Sequence, residues 1–144
     1  MRARKHEIVD AFAAFGRLAE GKIPDKAASR IAKVIRLLKA EVSDYEHART
    51  MFWTSRGGVI SNGQLYLRAP IKGEEEPASA FEKRVQNYDK LLVEINAATE
   101  GLLDEEVEMA CEPISTKLFR PADSEKRFEF SPMDLAQAGP FLEN

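Results

Sequence analysis

Apolar residues recur at helical spacing over most of this chain. Ile8, Phe12, Phe15 and Ala19 fall four and three apart, with Val9, Ala11 and Leu18 widening the stripe, so an amphipathic helix is predicted over about 5–20. Gly21 and Pro24 end it, and Asp25 stands where the cap of a second helix belongs. That helix, about 25–53, carries the strongest pattern: Ile31, Ile35, Leu38, Val42, Tyr45, Arg49 and Phe52 alternate steps of four and three, and only Arg49 interrupts the apolar seam. A third helix, about 79–100, repeats the spacing with Phe81, Val85, Tyr88, Leu92, Ile95, Thr99 and Leu102, led by Ser79 and Glu82 as a capping box.

Between the two heptad segments the period changes. Arg56-Gly57-Gly58 breaks the helix, and Val59-Ile60, Ser61-Asn62-Gly63 and Gln64-Leu65-Tyr66-Leu67 read as a β-hairpin over about 58–69. Asn-Gly suits a type I′ turn because both residues tolerate positive φ. A connection this short favours antiparallel packing of the two long helices, seam to seam: Ile31, Ile35, Leu38, Val42, Tyr45 and Phe52 against Phe81, Val85, Tyr88, Leu92 and Ile95. Further on, Glu106 to Glu112 alternates polar and apolar, as does Arg127 to Phe130, which predicts strands at about 105–112 and 126–130 able to pair. Ser131-Pro132 opens a short helix at about 132–138, and Phe141-Leu142 can tuck against the core. The expected fold is α+β but mostly α: a single domain, 1–144, built on an antiparallel long-helix hairpin of coiled-coil type, with an N-terminal helix and a small β-hairpin or sheet.

Composition narrows the partners more than the fold. Of 144 residues, 44% are hydrophobic and 31% charged, enough apolar content for a packed core. A net charge of -3 gives no long-range field toward nucleic acid or an anionic membrane. The basic start Met1-Arg2-Ala3-Arg4-Lys5-His6 is followed by an apolar stretch broken by Asp10, Gly16 and Arg17, so neither a signal peptide nor a transmembrane run is read, and the cytosol is the default.

Candidate chemistry is sparse. The histidines, His6 and His47, have no serine or cysteine beside them in a recognisable motif, and Cys111, the one cysteine, sits on the apolar side of an alternating stretch, where a thiol packs as a small hydrophobe. Zinc wants four Cys or His ligands, and the acidic cluster Asp104, Glu105, Glu106 and Glu108 lacks the spacing of a calcium loop. Arg56-Gly57-Gly58 follows a helix, not a strand, which removes it as a phosphate loop. No catalytic, metal or cofactor site is therefore expected, and the chain is read as a non-enzyme. Arg2, Arg4, Lys5, Arg30 and Lys33 form a candidate basic patch, a weak argument for phosphate contacts. Trp53, Leu65, Tyr66 and Leu67, at the hairpin end, form a candidate interface, since a two-stranded hairpin is marginal alone and an open edge invites another chain. A homo-oligomer joined at that edge is expected.

Several stretches carry a resemblance. Lys22-Ile23-Pro24-Asp25-Lys26-Ala27-Ala28, Ile31-Ala32-Lys33-Val34-Ile35 and Glu41-Val42-Ser43-Asp44-Tyr45-Glu46-His47-Ala48-Arg49 lead into a hairpin, a second long helix and an acidic alternating stretch. With the closing Ser131-Pro132-Met133-Asp134-Leu135 and Pro140-Phe141-Leu142, they resemble a group of small phage-encoded proteins of unknown function. The resemblance implies a phage origin, no established catalytic residue or cofactor, and a protein partner from phage or host. The first expectation is a virion structural or assembly component, found in the virion or the host cytoplasm. The alternative is a small inhibitor or regulator that binds a host defence protein, nucleic acid or signalling nucleotide.

Overall fold

A computed structural model describes residues 1–21, 23–119 and 130–144. In order, the elements are β1 (Arg2–Arg4), α1 (Lys5–Ala19), α2 (Asp25–Ser55), β2 (Val59–Ser61), β3 (Gln64–Tyr66), α3 (Ala78–Asp104), β4 (Glu106–Glu108), β5 (Ile114–Ser115), α4 (Pro132–Ala138) and β6 (Leu142–Glu143), with 3-10 turns at Thr116–Phe119 and Gly139–Phe141. The fold is mostly α, with three two-stranded sheets among the described residues. The chain divides into two compact units: residues 1–44 with 103–144, and residues 45–102. Both long helices cross that division. In chain order α2 leads from the first unit into the second and α3 returns to the first.

The first unit holds a continuous core. Ile8, Ala11, Ala14, Phe15 and Leu18 of α1 and Ala27, Ile31, Val34, Leu38 and Val42 of α2 are buried with Met109, Ile114, Phe119, Ala138 and Phe141. The α1 stripe is turned slightly from the one expected, with Ala14 inside, Phe12 half-buried and Ala19 exposed. Alanines at Ala11, Ala14, Ala27 and Ala138 leave room for Phe15, Phe119 and Phe141, each 0% exposed.

Two short ladders close this unit. β1 pairs antiparallel with β4 in the register Arg2↔Glu108, Ala3↔Val107, Arg4↔Glu106, so opposite charges face across the strands and Ala3 points into the core. β5 pairs parallel with β6 through Ile114↔Leu142 and Ser115↔Glu143. α4 begins where the sequence places it. The Ser131 hydroxyl accepts the Asp134 N–H at 3.0 Å, and Arg17 reaches across from α1 to the Asp134 carboxylate at 3.0 Å.

Three expectations are corrected. First, Ile31, Leu38 and Val42, with half-buried Ile35, belong to the core with α1 and the C-terminal segment, and no residue of α3 belongs to that cluster. The heptad spacing marks an apolar face without naming its partner. Second, β4 pairs with β1, the basic start of the chain, and it ends at Glu108 and not at 112. The pairing expected for residues 126–129 lies outside the described residues. Third, α3 starts at Ala78, so Ser79 is inside the helix and not its cap, and it runs through Gly101 to Asp104.

Leu38 is 0% exposed, whereas Leu92 is half-buried. Leu38→Ala is expected to lower unfolding free energy by roughly 2–5 kcal/mol, and Leu92→Ala by less than half of the Leu38 loss, read as the shift in urea midpoint at constant slope. Equal losses would restore the symmetric seam.

Candidate functional site

The second unit is shaped by how α2 stops. Gly58 N–H donates to Trp53 O at 2.7 Å and Gly57 N–H to Thr54 O at 3.2 Å, the paired bonds of a Schellman cap. Gly57 has φ +84°, and a Cβ on Gly58 would lie 2.6 Å from Trp53 O, so both positions require glycine. Asn62 and Gly63, at φ 53° and 75°, then form the expected turn, with Val59↔Tyr66, Ile60↔Leu65 and Ser61↔Gln64 in register.

The four candidate interface residues do not form one patch. Leu65 lines an open hollow with Ile60 and with Glu46, Arg49 and Thr50 of α2, so the hairpin leans back on its own helix. Leu67 lines a different hollow, bounded by residues 67–71 and by Arg84, Tyr88 and Leu91 of α3. Tyr66 is 40% exposed. Trp53 is half-buried, and its indole N–H is buried with no hydrogen-bond partner.

Arg84 organises the loop after the hairpin. It grips Glu76 through two bonds of 2.9 and 2.7 Å, donates to Ile71 O at 2.8 Å, and stacks its guanidinium 5.9 Å from the Phe81 ring. The Arg84 hydrogen bonds hold the Glu76 carboxyl below its ordinary range, with desolvation opposing. Arg56 plays a similar part at the helix end, bonding Glu94 and Phe52 O and lying 5.4 Å from the Phe52 ring. Neither arginine stood out in the sequence. Eight residues separate Glu76 from Arg84 across a helix start, a spacing that no helical or strand rule flags.

The candidate basic patch is a mixed-charge surface. Arg2 pairs with Glu108 at 3.0 Å and Lys5 with Glu105 at 3.4 Å, while the Arg4 N–H donates to the Glu7 carboxylate that caps α1. Arg30 and Lys33 border a hollow with Met109 and Cys111, and Glu108 and Glu112 border it too. Cys111 lies outside any strand, half-buried, and burial pushes its thiol up, away from the reactive thiolate. His6 and His47 are both exposed. Among the described residues no three His, Cys, Asp or Glu side chains converge on a metal-sized site, and no helix is long and apolar enough to cross a membrane.

No family model matches the chain, and no curated protein or solved structure matches it either.

The Arg84–Glu76 pair makes the loop at residues 71–77 acid-sensitive. The folded carboxyl lies below its ordinary 4.5, so the pair's contribution is complete above that pH and is lost as pH falls through the depressed value. Amide exchange at Lys72 to Glu75 is expected to quicken, relative to its intrinsic rate, as pH falls below about 4.5. Arg84→Gln should abolish that step. A pH response that persists in Arg84→Gln would assign it elsewhere.

Proposed function

We propose that this chain is a non-catalytic protein–protein interaction component and that its second unit carries the contact. The supporting observation is the uneven distribution of burial. Among the described residues, every fully buried hydrophobic side chain except Ile95 lies in the first unit. The second unit, described throughout, keeps Ile95 alone at 0% and leaves Met51 at 58%, Ile60 at 56%, Ile71 at 84% and Val93 at 70% exposed. A soluble surface tolerates scattered apolar residues, but a unit with one closed position and so many open ones is better accounted for by a partner.

The resemblance to small phage proteins directs this contact toward virion structure or assembly. A regulator that captures a host protein would use the same face. The route to nucleic acid has less support, because Arg2 and Lys5 are already neutralised by Glu108 and Glu105.

A photo-crosslinking amino acid placed at Ile71 in the producing cell is expected to yield one discrete heavier adduct, and the same group at exposed Asp10 none. Mass spectrometry of purified particles should then find the chain in stoichiometric copy if the contact is structural. Irradiation that yields no adduct from Ile71, or the same adducts from both positions, would count against the second unit as the contact.

A further inference from the structure

Resting on the reading of the second unit as a protein-binding surface, we propose that the hollow beside residues 67–71 receives an extended segment of a partner protein in which acidic and apolar residues alternate. Three observations carry this.

The first is an open backbone. Ser61↔Gln64 closes the two-residue turn as a hydrogen-bonded pair and Val59↔Tyr66 forms the next one, so the outward groups of β3 belong to Leu65, and a strand continued beyond Tyr66 would turn those of Leu67 and Ala69 the same way. β3 ends at Tyr66, and the backbone groups of Leu67 and Ala69 make no hydrogen bond among the described residues. An added strand would satisfy them.

The second is charge. Arg56, Arg68 and Arg84 line the hollow, and among the described residues no carboxylate does. Arg56 and Arg84 have Glu94 and Glu76, but Arg68 is exposed and has no ion-pair partner among the described residues. Leu67, Tyr88 and Leu91 supply an apolar floor.

The third is a precedent in the same chain. β1, Arg2-Ala3-Arg4, is a basic alternating strand, and it is paired by β4, Glu106-Val107-Glu108, with Arg2 bonded to Glu108 at 3.0 Å. The segment Leu67-Arg68-Ala69 also alternates basic with apolar residues, in the inverse order apolar, basic, apolar, and no strand pairs with it among the described residues. A second copy would bring another Arg68 to this edge, like charge against like, whereas an acidic strand complements it.

The test uses the whole protein and a capped heptapeptide of alternating glutamate and valine, with a lysine–valine peptide as control. Binding is followed by amide chemical shifts. The acidic peptide is expected to bind saturably, to shift Leu67, Ala69 and Tyr88, and to slow amide exchange at Leu67 and Ala69. Arg68→Glu should weaken it at least tenfold and Arg68→Gln by less, and raised salt should weaken it in the wild type. The amide spectra of both variants report that they are folded. Equal binding of the lysine peptide, no saturable binding, or an unchanged affinity in Arg68→Glu would overturn the proposal. So would concentration-dependent shifts of Leu67 and Ala69 without peptide, which would assign the hollow to a second copy. An adduct from Ile71 in the cell combined with failure of the acidic peptide would reject the partner chemistry alone and leave the binding surface standing.

Discussion

The apolar stripe on the first half of α2, from Ala27 to Val42, must be covered by segments that lie about a hundred residues apart in sequence, and the first unit is the solution to that constraint. α1 covers it from one side of the chain, and Met109, Ile114, Phe119 and Phe141 from the other. The β1–β4 ladder holds these distant segments together. Its backbone bonds are few, so the facing Arg2–Glu108 and Arg4–Glu106 positions matter more for register than for energy. Slipping one residue would turn Ala3 outward and set an arginine opposite Val107. Burial of the three phenylalanines at Phe15, Phe119 and Phe141 supplies far more, on the order of 1.5–3 kcal/mol each.

Beyond Val42 the same helix lives under different rules. Tyr45, Arg49 and Phe52 continue the heptad spacing, yet each is only half-buried, and the α3 seam closes fully at Ile95 alone. The stability of this unit therefore leans on polar devices: the Schellman cap at Gly57-Gly58, the Arg56–Glu94 pair and the Arg84 grip on Glu76 and Ile71 O. Such contacts are individually weak at exposed positions. They fix local geometry, and they leave Met51, Ile60, Ile71 and Val93 exposed.

The balance of charge follows the same division. In the first unit Arg2, Lys5 and Arg17 are matched by Glu108, Glu105 and Asp134, and the basic start of the chain is a structural strand. In the second unit Arg68 stands beside an apolar floor with no carboxylate paired to it among the described residues. A formal net charge of -3 conceals this, because the sum over a chain says nothing about which residues face each other.

Periodicity and turn chemistry by themselves determined the elements. The helices starting at Lys5, Asp25 and Pro132, the Gly57-Gly58 stop and the Asn62-Gly63 turn are all local events, decided by i, i+3 and i+4 neighbours or by φ preferences. Tertiary structure alone decided the partners. A heptad face on α2 is equally satisfied by α1, by α3 or by the C-terminal segment, and only the competition for burial assigns Ile31 to Val42 to one and leaves Tyr45 to Phe52 half-covered by another. Likewise Arg2-Ala3-Arg4 has no strand signal that three residues could carry. It becomes β1 because Glu106-Val107-Glu108 supplies backbone and opposite charge from the far end of the chain. The candidate site was legible as a hairpin with exposed apolar residues. Its division into two hollows, and the contacts of Arg56 and Arg84, are made across a loop and a helix start, where sequence spacing carries no geometric rule.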